Sequence, residues 1–290
     1  IEFHYIDLRK EFYEKVILTF ADFYLKGLTP NISSHCNANF KIEKLMKNKK
    51  KFSCDFVATG HYARKKASLI GIAKDSWKDQ SFMLYRLSEK QREKLLLPLG
   101  QKMKDEVKNF VQQCGYEEIA NKRESFGLCF TNGKHYSEFL LEKYPELKKL
   151  ENGKVFNKNN QVIGTHKGYP FYTIGQYKGL NCEGKQYINK IIAEENAIFV
   201  GEKSECYFSI LRLNSLVFSQ NIENIKKDTP YLTKIRGKDE GSFATLREIS
   251  PNHSIIEFSQ RVFAPMQGQD VVVYDENNFI LFGGRIESFS

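Results

Sequence analysis

"CDFVATGHYARK", residues 54–65, is the stretch on which the fold reading turns. A short apolar run, Phe56-Val57-Ala58, ends in Thr59-Gly60-His61. A run this short, without alternation, suits a strand buried on both faces in a parallel sheet. Such a strand opens into a loop at its C-terminal end, where α/β folds hold ligands. Helix signals flank it on both sides. Upstream, Phe12, Val16, Phe20, Phe23 and Tyr24 recur at helical spacing and predict a helix over 8–26, with Gly27 placed to close it. "LTPNISSHCN" (28–37) reads as a Pro/Asn/Ser-rich loop delivering Cys36. "FKIEKLMKNKKK" (40–51) predicts a short helix. Downstream, "LSEKQREKLLLPLG" (87–100) sets Ser88 three residues before Gln91, the spacing of a capping box. "KDEVKNFVQQCG" (104–115) predicts a helix closed by Gly115. The opening "IEFHYID" (1–7) reads as a strand. Helix and strand signals thus alternate to about residue 135, an α/β pattern.

Beyond 138 the texture changes. "SEFLLEKYPELKKL" (137–150) predicts one helix, and glycine-rich strand and turn material follows to about 207. The C-terminal runs "YLTKIRG", "FATLREI", "SIIEFSQRVFAP", "DVVVY" and "NFILFGGRI" are short strands with turns between them, the signature of a small barrel or sandwich. The expected division is an α/β unit over 1–137, a small α+β unit over 138–207 and a β unit over 208–290.

The chain has 290 residues, 41% hydrophobic and 27% charged, which is an ordinary globular composition with room for two or three domains. No apolar run approaches the ~18 residues of a membrane span, and the first residues carry no secretion signal. A net charge of +9 fits a polyanionic partner such as nucleic acid, and equally a lysine-rich background. Six cysteines occur with no Cys-x-x-Cys pair, and His35–Cys36 stands alone, which argues against a metal site. Without a secretion signal the expected setting is a reducing cytoplasm and free thiols. Cys129, in "ESFGLCFTNGK" (124–134), sits in a stretch too interrupted for a helix or strand. From the residues alone it reads as an inert buried thiol, half of a crosslink, or a thiol held out for chemistry.

Six segments in order narrow this choice: "LTPN…CN", "ATGHYAR", "KDQSFMLYRLS", "SFGLCF", "GTHKGYPFYTIGQYKGL" and "APMQGQ". Together, over nearly the whole chain, they resemble the tRNA-specific 2-thiouridylases, the MnmA family. The resemblance implies an ATP-pyrophosphatase-type, Rossmann-like α/β domain, a small central domain and a C-terminal β-barrel. It implies synthesis of 2-thiouridine at the tRNA wobble position: ATP, with Mg2+, adenylates the C2 oxygen, and a persulfide delivers sulfur. Cys129 falls on the persulfide carrier, and Cys36 on a second catalytic thiol that ends disulfide-linked to it. A terminal persulfide is a strong nucleophile, and its release needs a resolving thiol. Gly60 falls at the ATP site and His61 near the tRNA; the plainer reading of His61 is a structural histidine at a strand end. Asn31, Ile32 and Ser33 fall on the triplet that meets the target base. Lys78, Asp79 and Gln80 fall on a tRNA-contacting triplet, which could equally be a solvated helix start. Arg236, Gly237 and Gln269 fall on barrel positions that contact tRNA. The implied sulfur donor is a cysteine desulfurase or a small sulfur-carrier protein.

The departures are specific. The family's phosphate loop, Ser-Gly-Gly-Val-Asp-Ser, does not occur in these residues, and backbone amides of such loops are what hold pyrophosphate. The expectation is that Ile1 corresponds to the middle of the nucleotide domain, and that a preceding segment or a separate chain supplies the loop. Ser33 stands where many members carry an acid, and it cannot act as an acid or base at neutral pH. Tyr177 replaces a usual arginine and Gly237 a usual tyrosine. Two other functions stay open: a non-catalytic tRNA-binding remnant, and an ATP-independent thiol relay. The α/β unit is expected to be poorly stable alone.

Overall fold

The computed structural model describes residues 2–122 and 127–290. Its N-terminal part is built on two helical runs. The first, over 9–25, is α-helical at Arg9–Phe12, π-helical at Tyr13–Ile17 and α-helical again at Leu18–Leu25. It buries Val16, Phe20, Ala21 and Tyr24, and Gly27 ends it at φ +70°. The second run, over 32–49, has the same composite form: Ile32–Cys36, a π-helical turn Asn37–Lys41, then Ile42–Lys49. This corrects the expected loop placement of Cys36. The loop is over by Asn31, because Ile32, Cys36 and Phe40 recur every fourth residue and all bury. Tertiary packing outweighs the weak helix propensity of the two serines between them. The expected strand at 1–7 is also absent from its described residues. Residues 2–8 join no sheet, and Phe3 and Tyr5 are 86% and 76% exposed.

The strand read at 54–65 is parallel as expected but short and not buried: Val57 is half-buried, Ala58 exposed and Phe56 46% exposed. β1 (Val57–Ala58) precedes a hairpin of β2 (Arg64–Lys66) and β3 (Leu69–Gly71). β1 pairs in parallel with β4 (Leu95–Leu96), Val57 opposite Leu95. The stretch 87–100 is therefore divided. The helix Glu89–Lys94 has the expected capping box, with Ser88 N–H donating to Gln91 Oε1 at 2.9 Å and Gln91 N–H to Ser88 Oγ at 3.3 Å. The fully buried Leu95 then leaves the helix to join β1. The helix Lys104–Gln113 forms as read, with Gly115 just beyond it at φ +84°.

In the central part the predicted helix over 137–150 breaks. An α-helix spans Tyr136–Lys143, and Pro145 opens a separate 3-10 turn, Pro145–Leu150. A residue before proline is pushed out of the helical region, and Tyr144 has φ −132°. A five-stranded sheet follows, from β5 (Gly153–Phe156), β6 (Val162–His166), β7 (Asn181–Cys182), β8 (Tyr187–Ile192) and β9 (Ala197–Gly201), in the order β7-β6-β5-β9-β8.

The C-terminal part is a closed barrel of β10 (Tyr207–Phe218), β11 (Tyr231–Lys234), β12 (Ser242–Ile249), β13 (His253–Phe263), β14 (Asp270–Tyr274) and β15 (Ile280–Phe289), ordered β10-β13-β12-β11-β14-β15. β10 was not among the predicted strands. It closes the barrel by pairing with both β13 and β15, which leaves no edge exposed.

Three cores result, and the N-terminal residues enter two of them. Val16, Phe20, Cys36 and Phe40 pack with Phe139, Val155 and Ile198 of the central part. Ala38, Ile42, Phe82, Tyr85 and Leu95 pack with Val272, Tyr274 and Ile280 of the barrel. Tyr85 lies on the backbone of Gly283, where an added Cβ would come within 2.3 Å of its ring. The third core fills the barrel itself. Among the described residues no helix is long and apolar enough to cross a membrane.

Candidate active site

Cys129 lies in a turn, and the residues on either side hold it there. Leu128 and Phe130 point into the core shared by the helices and the central part, while Cys129 between them is exposed. The Phe130 ring lies 5.2 Å from Phe20, 6.0 Å from Phe12 and 5.1 Å from Phe139. Thr131 closes the turn, its N–H and hydroxyl both donating to the Leu128 carbonyl. Ser125 and Phe126 of the same motif lie outside the described residues.

Cys36 sits on the helical run over 32–49. It lines the core that anchors Phe130, and it is 5% exposed. Burial pushes its thiol up from the ordinary value, Lys41 pulls it back, and Cys129 raises it further. The two thiols, far apart in sequence, are thus within electrostatic reach of each other. All six cysteines are free. The accessible, activated thiol expected at both positions describes the exposure of Cys129 only. Cys36 is buried and less acidic than a free thiol.

The target-base triplet opens the Cys36 helix. Asn31 is the residue before its first turn, and its Nδ2 is buried without a partner. Ile32 faces the core at 5% exposure, and Ser33 is half-buried. Next to them Ser34 donates to the Asn31 carbonyl at 3.0 Å and to the Asp270 carboxylate of the barrel. Asp270 also pairs with Arg86 at 2.9 Å, and Arg285 stacks on Phe23 at 4.6 Å. Burial and the Arg86 charge hold the Arg285 guanidinium below its usual range. Asn31, Ile32, His35, Arg86, Asp270 and Arg285 line one small cavity. Gln269, beside it, accepts from the Asp270 N–H at 3.2 Å. The sequence reading missed this ionic node; its trace in the sequence is a carboxylate, Asp270, opening an otherwise apolar strand.

The remaining expected residues gather around the same junction, mostly with their polar groups engaged by protein. The Asp79 carboxylate accepts from Ala73 N–H at 3.0 Å, Ser81 N–H at 3.1 Å, Ser81 Oγ at 2.9 Å and Lys234 at 3.2 Å. Gln80 Oε1 accepts from Tyr62 N–H at 3.0 Å. Lys78 ends a 3-10 turn, Ser76–Lys78, so the triplet is a packed turn rather than a solvated helix start. Arg236 donates to the carbonyls of Phe263, at 3.0 Å, and Ala264. Gly237 lies against Met83, which an added Cβ would meet at 2.5 Å. Thr29 and Thr173 hydroxyls meet at 2.8 Å and join the loop before Asn31 to the central part.

At the end of β1, His61 Nδ1 bonds Thr59 Oγ1 at 2.9 Å. Burial, with a contribution from Lys41, lowers His61 to about 4, so it is neutral at pH 7. Gly60 is exposed, and an added Cβ there would touch only Leu99, at 3.7 Å. A nucleotide's phosphates need converging backbone amides at a glycine-rich loop or helix start. Thr59-Gly60-His61 does not supply that cradle, and the residues described here do not fit the pyrophosphate of ATP.

Comparison with known proteins agrees with this architecture. Residues 1–133 match the family model described as a tRNA methyl transferase HUP domain, and residues 137–202 the one described as a tRNA methyl transferase PRC-barrel domain. The chain is 33% identical, over 98% of its length, to the tRNA-specific 2-thiouridylase MnmA of Cytophaga hutchinsonii, of which it covers 79%. It is 34% identical, over 99% of its length, to the protein of that name from Natranaerobius thermophilus, of which it covers 78%. With a Rossmann-like HUP domain, a small central domain and a closed C-terminal barrel, the chain belongs to the MnmA family of tRNA-specific 2-thiouridylases.

Proposed function

We propose that the chain performs the sulfur-transfer half of 2-thiouridine synthesis on tRNA, with Cys129 as sulfur carrier and Cys36 as resolving thiol. The observation that carries this reading is an exposed thiol, Cys129, on a turn whose flanking Leu128 and Phe130 pack on the same core that buries Cys36. A donor, a cysteine desulfurase or a sulfur-carrier protein, loads one sulfur onto Cys129 as a persulfide. The terminal sulfur attacks C2 of the uridine and displaces its activated oxygen. The Cys36 thiolate then attacks Cys129 Sγ. The bond from Sγ to the transferred sulfur breaks, and its electron pair stays with the sulfur on C2. A Cys36–Cys129 disulfide remains, and an external thiol reductant resets it with two electrons. Activation of the C2 oxygen is the task the resemblance implies for ATP and Mg2+. No described residue is assigned to it here. Free thiols and a tRNA substrate fit a cytoplasmic setting.

The test is a thiolation assay with unmodified tRNA, ATP and a sulfur donor, with and without a polypeptide bearing the Ser-Gly-Gly-Val-Asp-Ser loop. The expected result is 2-thiouridine that disappears in Cys129→Ser and Cys36→Ser. Product surviving in Cys129→Ser, or no product in any arm, overturns the reading. One alternative is a sulfur relay that uses the same two thiols without ATP. It would give Cys129 persulfide and the disulfide in a chain that retains no tRNA.

A further inference from the structure

The helix that carries Cys36 changes register immediately after it. Residues 37–41 form a π-helical turn, and the Ile42 N–H reaches back five residues to the Asn37 carbonyl. In a regular α-helix a residue five positions on stands about 140° around the axis. One extra residue in the turn moves position 41 to where an i+4 residue would stand, on the face of position 36. Such turns recur at functional sites. Here the turn rotates the Lys41 position toward the Cys36 side of the helix, with Lys41 exposed and Phe40 in the core.

We propose that Lys41 is a positioning residue for sulfur transfer: its ammonium, carried onto the Cys36 face by the π turn, stabilises the Cys36 thiolate that attacks the Cys129 persulfide. The inference rests on the sulfur-transfer reading above. Cys36 is buried, and burial opposes the thiolate that the attack requires. Lys41 offsets that opposition, and the same ammonium acts on His61 at the end of β1. Lys41 faces the thiol from its own helix and Cys129 faces it from the turn, while the helix over 9–25 and the five-stranded sheet contribute apolar side chains to the same core. In the step itself the Cys36–Cys129 bond forms and the bond from Cys129 Sγ to the transferred sulfur breaks. The released electron pair leaves on that sulfur. The ammonium neither gains nor loses a proton.

The experiment is site-resolved alkylation of the full chain by iodoacetamide, read by peptide mass spectrometry from about pH 6 to about pH 10, a span that brackets an ordinary thiol. Wild type is compared with Lys41→Met, Lys41→Gln and Lys41→Arg. In the two neutral variants Cys36 should react about 3-fold more slowly near neutral pH, its midpoint should move upward, and the difference should shrink at high salt, as expected for one exposed charge. Lys41→Arg should restore both rate and midpoint. Cys129 and the buried Cys206 should react as in wild type, which reports an intact fold. An unmoved Cys36 midpoint in either neutral variant, or an arginine variant as slow as the methionine one, overturns the proposal. The readout uses no tRNA, so it stands apart from the thiolation assay. Failure of the sulfur-transfer reading appears there, as missing 2-thiouridine, whatever the alkylation rates.

Discussion

Replacing Asp270 with asparagine removes a barrel charge that ties the barrel to the helix carrying Cys36. The Asp270 side chain is 2% exposed and its partner Arg86 is 13% exposed. Burial pulls the Arg86 guanidinium down, and Asp270 together with Tyr85 more than offsets this. Arg285 stands close enough to be repelled by Arg86. Asp270→Asn therefore leaves the Arg86 and Arg285 guanidinium groups in a largely buried junction without the carboxylate that offsets them. Breaking a buried pair from one side costs about 3–5 kcal/mol, a large share of the roughly 5–15 kcal/mol that holds a folded protein together. Removing both partners is a different perturbation. Arg86→Met with Asp270→Leu takes away one cation and one anion together, and Ser34 keeps the Asn31 carbonyl as acceptor. Such apolar replacements are often neutral, so the double variant should recover most of the loss. The measurement is urea denaturation followed by far-ultraviolet circular dichroism, with hydrogen exchange resolving residues 28–49. In Asp270→Asn that segment should lose protection before the barrel strands do. A single variant within about 1 kcal/mol of wild type, or a double variant no more stable than the single, would refute the ionic account of this junction.

Two further outcomes follow from the engaged polar residues. His61 has a folded-state value of about 4 against an ordinary 6.5, so the unfolded chain takes up its proton first as pH falls. Its contribution is fully present above pH 6.5 and is lost progressively down to about pH 4, about 3 kcal/mol in all. Denaturation midpoints across that window should fall less steeply in His61→Gln, and an unchanged slope would count against a buried neutral imidazole. Arg236→Ala should destabilise the chain by about 2 kcal/mol through two lost carbonyl partners of a charged donor, while the salt dependence of RNA binding stays as in wild type. A salt slope reduced by about one, with stability unchanged, would instead put Arg236 on a phosphate.

Local chemistry made part of this molecule legible in its sequence. The capping box at Ser88–Gln91, the glycine stops at Gly27 and Gly115, and the short C-terminal strands depend on neighbours a few residues away, and they formed where expected. Cys129 was not legible in this way: its neighbours left three readings open, the family resemblance alone singled it out, and the structure shows it exposed between Leu128 and Phe130. Errors came where distant packing overrode local preference. The serine-rich segment before Cys36 is helical because Ile32, Cys36 and Phe40 find a core supplied partly by the central domain. "IEFHYID" alternates like a strand, yet no strand among the described residues pairs with it. The helix expected to start at Ser88 stops at Lys94, because Leu95 and Leu96 join a parallel partner at Val57–Ala58. β10 escaped notice because its role, closing the barrel between β13 and β15, has no local signature.

The site divides in the same way. Residue type and motif order alone pointed to two thiols, to their chemistry and to the family. Only the tertiary structure decided that Cys36 is buried, that a π turn follows it at 37–41, and that Asp270 from the barrel seats the start of its helix. It also decided that Asp79, Gln80 and Arg236 hold protein groups. The physical reason is common to all of these: burial and electrostatic reach depend on which surfaces meet. A chain read residue by residue carries the charges and the thiols, but not the distances between them.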